Sequence, residues 1–205
     1  MLKTNLYDVL VDLIDEEFKK LKWSSNDKFF KFRGLSIDQR GRVGEHFFCN
    51  IFNELNLLDS YVDNAHGDWD LEADGFKIEI KTASLDVNDK FQHEGVKSNK
   101  LWDVVAFLDI TPNDFYITFI FKDDFEFGID TYNEKTKKVV KTGRVQLYDK
   151  VVNTHYRGKD GTNDRATGTG YKVDFHIGDL KQTKTIKDIE NLFNEMKIKH
   201  NLQSK

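Results

Sequence analysis

The stretch from Gly67 to Thr82, GDWDLEADGFKIEIKT, constrains the chain more tightly than any other. Asp74-Gly75 is a strong signal for a two-residue primed turn, and the runs flanking it alternate polar with apolar residues. Folded about that turn, Ala73 pairs with Phe76, Leu71 with Ile78 and Asp70 with Glu79, and residues paired across antiparallel strands point to the same face. Trp69, Leu71, Ala73, Phe76, Ile78 and Ile80 are therefore expected on an apolar face, with Asp68, Asp70, Glu72, Lys77, Glu79 and Lys81 on the other.

An amphipathic hairpin with a solvated charged face has no need of opposed carboxylates. Like charges directly across a strand pair repel and destabilise it unless a cation lies between them. Asp70 opposite Glu79, with Lys81 beside them, gathers what a divalent cation and an attacking water require. Asp68 shares that face, but the register sets it opposite Lys81, which makes Asp70 the preferred partner of Glu79. The competing expectation for Lys81 is a plain salt bridge to Asp68.

Asp70 followed on the next strand by Glu79-Ile80-Lys81 resembles the D…(D/E)-x-K signature of the PD-(D/E)xK nuclease superfamily, the restriction-endonuclease-like fold. Upstream, Gly41-Arg42-Val43-Gly44-Glu45-His46-Phe47-Phe48 is similar to the glutamate-bearing first core helix of many members, Holliday-junction-resolvase-like ones included. Trp69 stands where the family often has a proline. The resemblance spans about residues 37–122. It implies an α/β fold with a central mixed β-sheet flanked by helices, and a site in which Glu45, Asp70, Glu79 and Lys81 are catalytic. Asp70, Glu79 and the backbone carbonyl of Ile80 would hold Mg²⁺, Lys81 would orient or help deprotonate water, and Glu45 would hold water or a second metal. The implied activity is Mg²⁺-dependent endonucleolytic cleavage of double-stranded DNA, foremost by a sequence-specific type II restriction enzyme with a companion DNA methyltransferase. A structure-specific or nicking nuclease and a non-cleaving DNA-binding subunit are the alternatives. A homodimer is expected, since one such site cuts one strand and a palindromic target invites two-fold symmetry.

A net charge of −4 is unusual for a chain that binds DNA until it is divided along the sequence. Lys135 to Lys172 holds ten basic residues against three acidic ones, a surplus of +7, which leaves −11 for the rest. That asymmetry is the footprint of a local phosphate-binding surface on an otherwise acidic molecule. Within it, Asn153 to Lys172 mixes guanidinium, amide and hydroxyl groups on a glycine-rich backbone, the groups that read base edges or hold phosphates. Arg157, Lys159, Asn163, Arg165 and Lys172 are the expected DNA contacts, joined by Gln92 and His93 after the catalytic strand and with Lys97 and Lys100 as further candidates.

The remaining pattern places these residues on elements. Leu6, Val9, Leu10, Leu13, Ile14, Phe18 and Leu21 recur at helical spacing, predicting an N-terminal amphipathic helix that packs on the core. Ser24-Ser25-Asn26-Asp27 breaks it, and Ser36 with Gln39 forms a capping box for a second helix to about Leu57. Its expected buried stripe is Val43, Phe47, Phe48, Ile51, Phe52 and Leu55, with Glu45 about 200° round from Val43 at the edge of that stripe. Tyr61-Val62 reads as a short strand and Asp86–Asn99 as a polar connection. Trp102–Ile110 is a strand buried on both faces, Pro112-Asn113 a turn and Phe115–Phe121 a further strand. Thr185 with Asp188 opens a last helix whose Ile186, Ile189, Phe193 and Met196 face inward.

A chain of 205 residues suits one domain, divided into an N-terminal helical region (1–35), a catalytic core (36–122) and a DNA-recognition region with a C-terminal helix (123–205), the last a basic extension of the core. No apolar run approaches the roughly 18 residues a membrane span needs, and the first residues lead into a helical pattern and not a signal peptide, so a cytoplasmic location is expected. Cys49 is the only cysteine, which excludes an internal disulfide, and with His46 it falls short of a zinc site.

Overall fold

A computed structural model of the protein describes residues 6–61, 67–157 and 170–203. Among them are four α-helices, α1 (Leu6–Lys20), α2 (Phe30–Arg33), α3 (Ile37–Glu54) and α4 (Ile186–Gln203). Ten strands form two five-stranded sheets. The first sheet has the order β1 (Leu58–Tyr61), β2 (Leu71–Ala73), β3 (Phe76–Ser84), β5 (Val104–Ile110), β6 (Phe115–Phe121). It is mixed, since β3 and β5 run parallel while every other pairing in it is antiparallel. The second has the order β4 (Lys90–Val96), β10 (Tyr171–His176), β9 (Lys150–Tyr156), β8 (Lys138–Leu147), β7 (Phe125–Asn133) and is antiparallel throughout. None of the described helices is long and apolar enough to cross a membrane.

The mixed sheet is covered on both faces, which is why β5 is buried at every residue. One face receives the helices: Ile78, Ile80, Val104, Ala106 and Leu108 pack with Phe48 and Phe52 of α3 and Ile189 and Phe193 of α4. The other receives the second sheet, where Val105, Phe107 and Ile120 meet Val145, Leu147, Val173 and Phe175. The expectation of a sheet flanked by helices thus holds for one face only. The strands after residue 122 are no extension of the core but its second layer, because alternating residues of β8, β9 and β10 supply the apolar face that covers β5 and β6, while α4 returns to the helix face.

Three further expectations change. The supposed polar connection 86–99 contains β4, and the chain crosses from β3 to the parallel β5 through that strand of the other sheet. Its inward positions are Phe91, His93 and Val96, and the histidine hides the alternation that would have marked a strand. Val43 is exposed, because Gly44, Phe48 and Phe52 are the positions of α3 that face the sheet. Helix α1 forms, yet Leu10, Val11, Leu13, Ile14 and Phe18 are exposed: the period of an amphipathic helix announces an apolar stripe without saying what covers it. The local signals fare better. Ser36 and Gln39 make both bonds of the capping box at α3, and Thr185 Oγ1 accepts the Asp188 N–H while Asp188 Oδ2 accepts the Thr185 N–H ahead of α4.

Candidate active site

The β2–β3 hairpin turns at Asp74 (φ 50°) and Gly75 (φ 78°), both in the positive-φ region that a type I′ turn requires. Leu71 pairs with Ile78 and Ala73 with Phe76, in the expected register. The ladder departs from that register one residue further on. The Asp70 N–H donates to the Ile78 carbonyl (2.9 Å), so Asp70 and Leu71 both meet Ile78, and the Asp70 side chain folds back to accept the Ile80 N–H on Oδ2 (2.6 Å). The pairing of β2 with β3 ends at Leu71, which leaves the Asp70 side chain re-aimed toward Ile80. Asp70 is therefore not directly opposite Glu79 as alternation predicts; its carboxylate takes the place of a strand carbonyl beside Ile80. The same slip moves Trp69 off the predicted apolar face: it packs against the cluster between the sheets, and the Lys77 ammonium lies 4.3 Å from its ring centroid.

Glu79 and Lys81 pair in register with Val105 and Phe107, so their side chains project on the side facing the second sheet. Glu79 is only 2% exposed. A carboxylate taken this far from water requires partners, and it has two: Lys81 Nζ lies 2.6 Å from Oε1, while Lys100 Nζ lies 2.9 Å from Oε2 and 3.1 Å from Oε1. Lys81 thus bridges to Glu79, and the alternative of a pairing with Asp68 is not what the geometry selects.

Glu45 approaches from α3 because that helix sits unusually close to β3. A Cβ added to Gly44 would stand 1.9 Å from Thr82 Oγ1 and 3.2 Å from Ile80 Cγ2, so glycine is what permits the approach. Glu45 is near enough to perturb both neighbours electrostatically. Burial, then the Glu79 charge, push the Asp70 carboxyl up to about 6; the Ile80 N–H and Lys81 oppose the shift and Glu45 adds to it. Burial would lower the Lys81 ammonium, but Glu79, Asp70 and Glu45 outweigh it and hold the group above its ordinary value. Glu79 is compensated by Lys81 and Lys100, whereas burial and the neighbouring carboxylates hold Asp70 above its usual range, the condition under which a cation beside it is favoured.

Glu45, Asp70, Glu79, Ile80 and Lys81 line one cleft of about 1110 Å³, and Gln92, His93, Lys97 and Lys100 line it from β4 and the loop after it. Arg33 and Arg40 also line it. Burial, then Arg40, lower the Arg33 guanidinium, which donates to Ser84 Oγ (2.8 Å), while Arg40 donates to the carbonyls of Arg33 (2.8 Å) and Leu35 (3.1 Å). Among the described residues no three His, Cys, Asp or Glu side chains are grouped so as to hold a metal ion, so Glu45 does not join Asp70 and Glu79 in a three-carboxylate set. Two carboxylates with room for water suit Mg²⁺, which keeps much of its hydration, better than they suit zinc.

The expected DNA contacts separate. Gln92 is exposed at the cleft and donates to Asp86 (2.6 Å). His93 is buried: its Nε2 is 2.7 Å from Asp109 Oδ1, its ring packs edge-on to Phe107, and burial raises the Asp109 carboxyl against the opposing pull of His93. A side chain so enclosed is a structural group between the sheets and not a surface contact. Lys172 is likewise buried and bridged to Asp174 (3.2 Å). Arg157 is exposed where β9 ends, its N–H bonded to the Gly170 carbonyl (2.9 Å); a Cβ on Gly170 would meet the Val96 carbonyl at 2.7 Å, one residue from the cleft-lining Lys97. Lys159, Asn163 and Arg165 lie outside the described residues.

Sequence reasoning named Lys100 only as a further DNA-contact candidate and missed its pairing with Glu79, and it missed Gly44, whose signal was its place immediately before Glu45 on a helix with an apolar stripe. No family model matches the chain, and neither a curated protein nor a solved structure matches it.

Proposed function

We propose that this chain is a Mg²⁺-dependent endonuclease of the PD-(D/E)xK type, acting on double-stranded DNA, and that it works as a sequence-specific restriction enzyme. The observation that carries the reading is the meeting of Asp70, Glu79 and Lys81 with Glu45 in one cleft, where burial and mutual repulsion leave Asp70 ready for a cation. Asp70, Glu79 and the Ile80 carbonyl would hold the ion, which when bound neutralises charge growing on the phosphate and acidifies a water. Lys81, fixed by Glu79, orients that water and offsets the charge of the transition state. Glu45 positions a second water from the helix side. The water oxygen forms the new bond to phosphorus, the bond to the leaving sugar oxygen breaks, and that oxygen takes up a proton.

Arg42 and Lys97 line the same cleft and would supply phosphate contacts. Incubation of the purified protein with long duplex DNA and Mg²⁺ tests the reading. Discrete fragments are expected. Cutting confined to branched or nicked substrates would favour the structure-specific alternative, and binding without cleavage the non-cleaving subunit.

A further inference from the structure

Glu79 is served by two ammonium groups when one would balance its charge, and they hold it differently. Lys81 touches one oxygen, at 2.6 Å; Lys100 spans both, at 2.9 and 3.1 Å. A single positive charge seated across a carboxylate fork occupies the position that a divalent cation takes when a carboxylate binds it. We propose that Lys100 is the resident counter-ion of this site: its ammonium holds the cation position on Glu79 in the metal-free protein and must swing off that carboxylate when a divalent cation binds. The inference rests on the nuclease reading above and adds a residue to it.

The surroundings of Lys100 suit a side chain that moves on a backbone that does not. Its carbonyl accepts from Lys122 Nζ, and the fully buried Trp102 donates from Nε1 to the Lys97 carbonyl (3.0 Å), pinning both ends of the short turn. Asp103 ties the same segment to β3, its N–H bonded to the Lys77 carbonyl (2.8 Å) and its Oδ2 accepting the Lys77 N–H (2.9 Å). The Lys100 side chain itself keeps 17% of its surface in solvent at the cleft, against 3% for Glu79, so the ammonium has a path outward that the carboxylate lacks. Four flexible carbons and a compact, readily hydrated head make lysine suited to such a displacement, and a lysine leaving Glu79 within this cleft stays within reach of a bound phosphate.

The test is calorimetric titration of Mn²⁺ into DNA-free protein, comparing wild type with Lys100→Met and Lys100→Gln, each also carrying Glu79→Gln as a site control. Removing the competing charge should tighten Mn²⁺ binding roughly tenfold, the size of one partly buried charge interaction, and Glu79→Gln should abolish the gain in both backgrounds. Two replacements of different polarity, checked by circular dichroism, keep the result independent of whether either one alone perturbs folding. Wild-type binding that requires Glu79 but is unchanged or weaker in both Lys100 variants would overturn the counter-ion role and leave the nuclease reading intact. Absence of Mn²⁺ binding in wild type and variants alike would overturn the metal reading and this inference with it.

Discussion

The cleft and the hairpin β7–β8 are both rich in charge, and they use it in opposite ways. In the cleft the charged groups are enclosed and compensated by one another, with Glu79 and Lys81 showing 3% and 20% of their side chains to solvent. Along β7–β8 the charges face solvent, in exposed pairs such as Arg144–Glu126 (2.8 Å). The Lys137–Glu134 pair is 70% and 77% exposed, and such pairs contribute little to stability. Strand β9 covers β8 only as far as Thr142, so the pairs from Asp130–Lys141 to Asn133–Lys138 form a two-stranded ribbon reaching roughly 13 Å beyond the sheet at about 3.3 Å per residue. Enclosure converts charge into altered proton affinity and ligand strength, whereas exposure converts it into long-range attraction. On the proposed nuclease reading, the exposed positive charge would draw a polyanion in and the buried carboxylates would mark where it is altered.

The largest effects should come from the cleft. Asp70→Asn and Lys81→Ala are each expected to lower the single-turnover cleavage rate at saturating DNA and Mg²⁺ by about 10²–10⁴-fold, the range for losing a positioned acid–base or metal-ligating group. Filter-binding affinity for the same duplex should be unchanged, or higher for Asp70→Asn, which removes a repelling charge. A loss of affinity without loss of rate would place these residues in binding alone.

Next is the pH dependence of the metal-free protein. The Asp70 carboxyl is raised from 3.8 to about 6 in the folded chain. Well below 3.8 it is protonated both folded and unfolded and imposes no penalty; as the pH rises to about 6 it ionises in the unfolded chain first, so stability is lost across that window and the loss is complete above it. Asp70→Asn removes the effect. Urea denaturation without metal should show the variant more stable than wild type by at most about 3 kcal/mol at pH 8, with the difference vanishing below about pH 3. A difference that is flat with pH would show that Asp70 ionises normally.

Gly44→Ala comes third, at about 1–3 kcal/mol of destabilisation from overpacking against Thr82. Thr82→Ala in the same protein should recover much of it, since Thr82 Oγ1 is the atom the new methyl group meets first. Full stability of the single variant would mean that α3 stands further from β3 than described.

The smallest effects should come from the ribbon. Lys137→Ala with Lys138→Ala should leave stability within about 0.5 kcal/mol and flatten the dependence of DNA affinity on salt by about 0.9 per lost phosphate contact in a log–log plot. Random and cognate duplexes should be weakened alike. Unchanged affinity and slope would remove the ribbon from binding.

What could be read from the sequence follows the distance over which each signal acts. The Asp74-Gly75 turn, the Ser36–Gln39 box and the buried run of β5 depend on residues close along the chain, and each stands as read. Strand β4 escaped notice because His93 occupies an inward position that an apolar residue would have marked, and its partner Asp109 comes from a strand of the other sheet. The end of strand pairing at Leu71 is a backbone event without a compositional sign, and it upset the face assigned to Trp69 while leaving Asp70 beside the site. Lys100 joins Glu79 across 21 residues of chain, through a connection whose path depends on how two sheets pack. Residue types named the chemistry; packing decided which of them could take part in it.

The most direct test sets the two regions against each other in one experiment: the single-turnover rate of Mg²⁺-dependent DNA cleavage, at saturating enzyme, for wild type, Glu79→Gln and the Lys137→Ala, Lys138→Ala double variant. The account predicts that wild type and the double variant cleave at the same rate once DNA is bound, and that Glu79→Gln binds but cleaves at least about 10²-fold more slowly. Cleavage by Glu79→Gln at the wild-type rate, or a chemical step slowed by the ribbon substitutions instead, would contradict it.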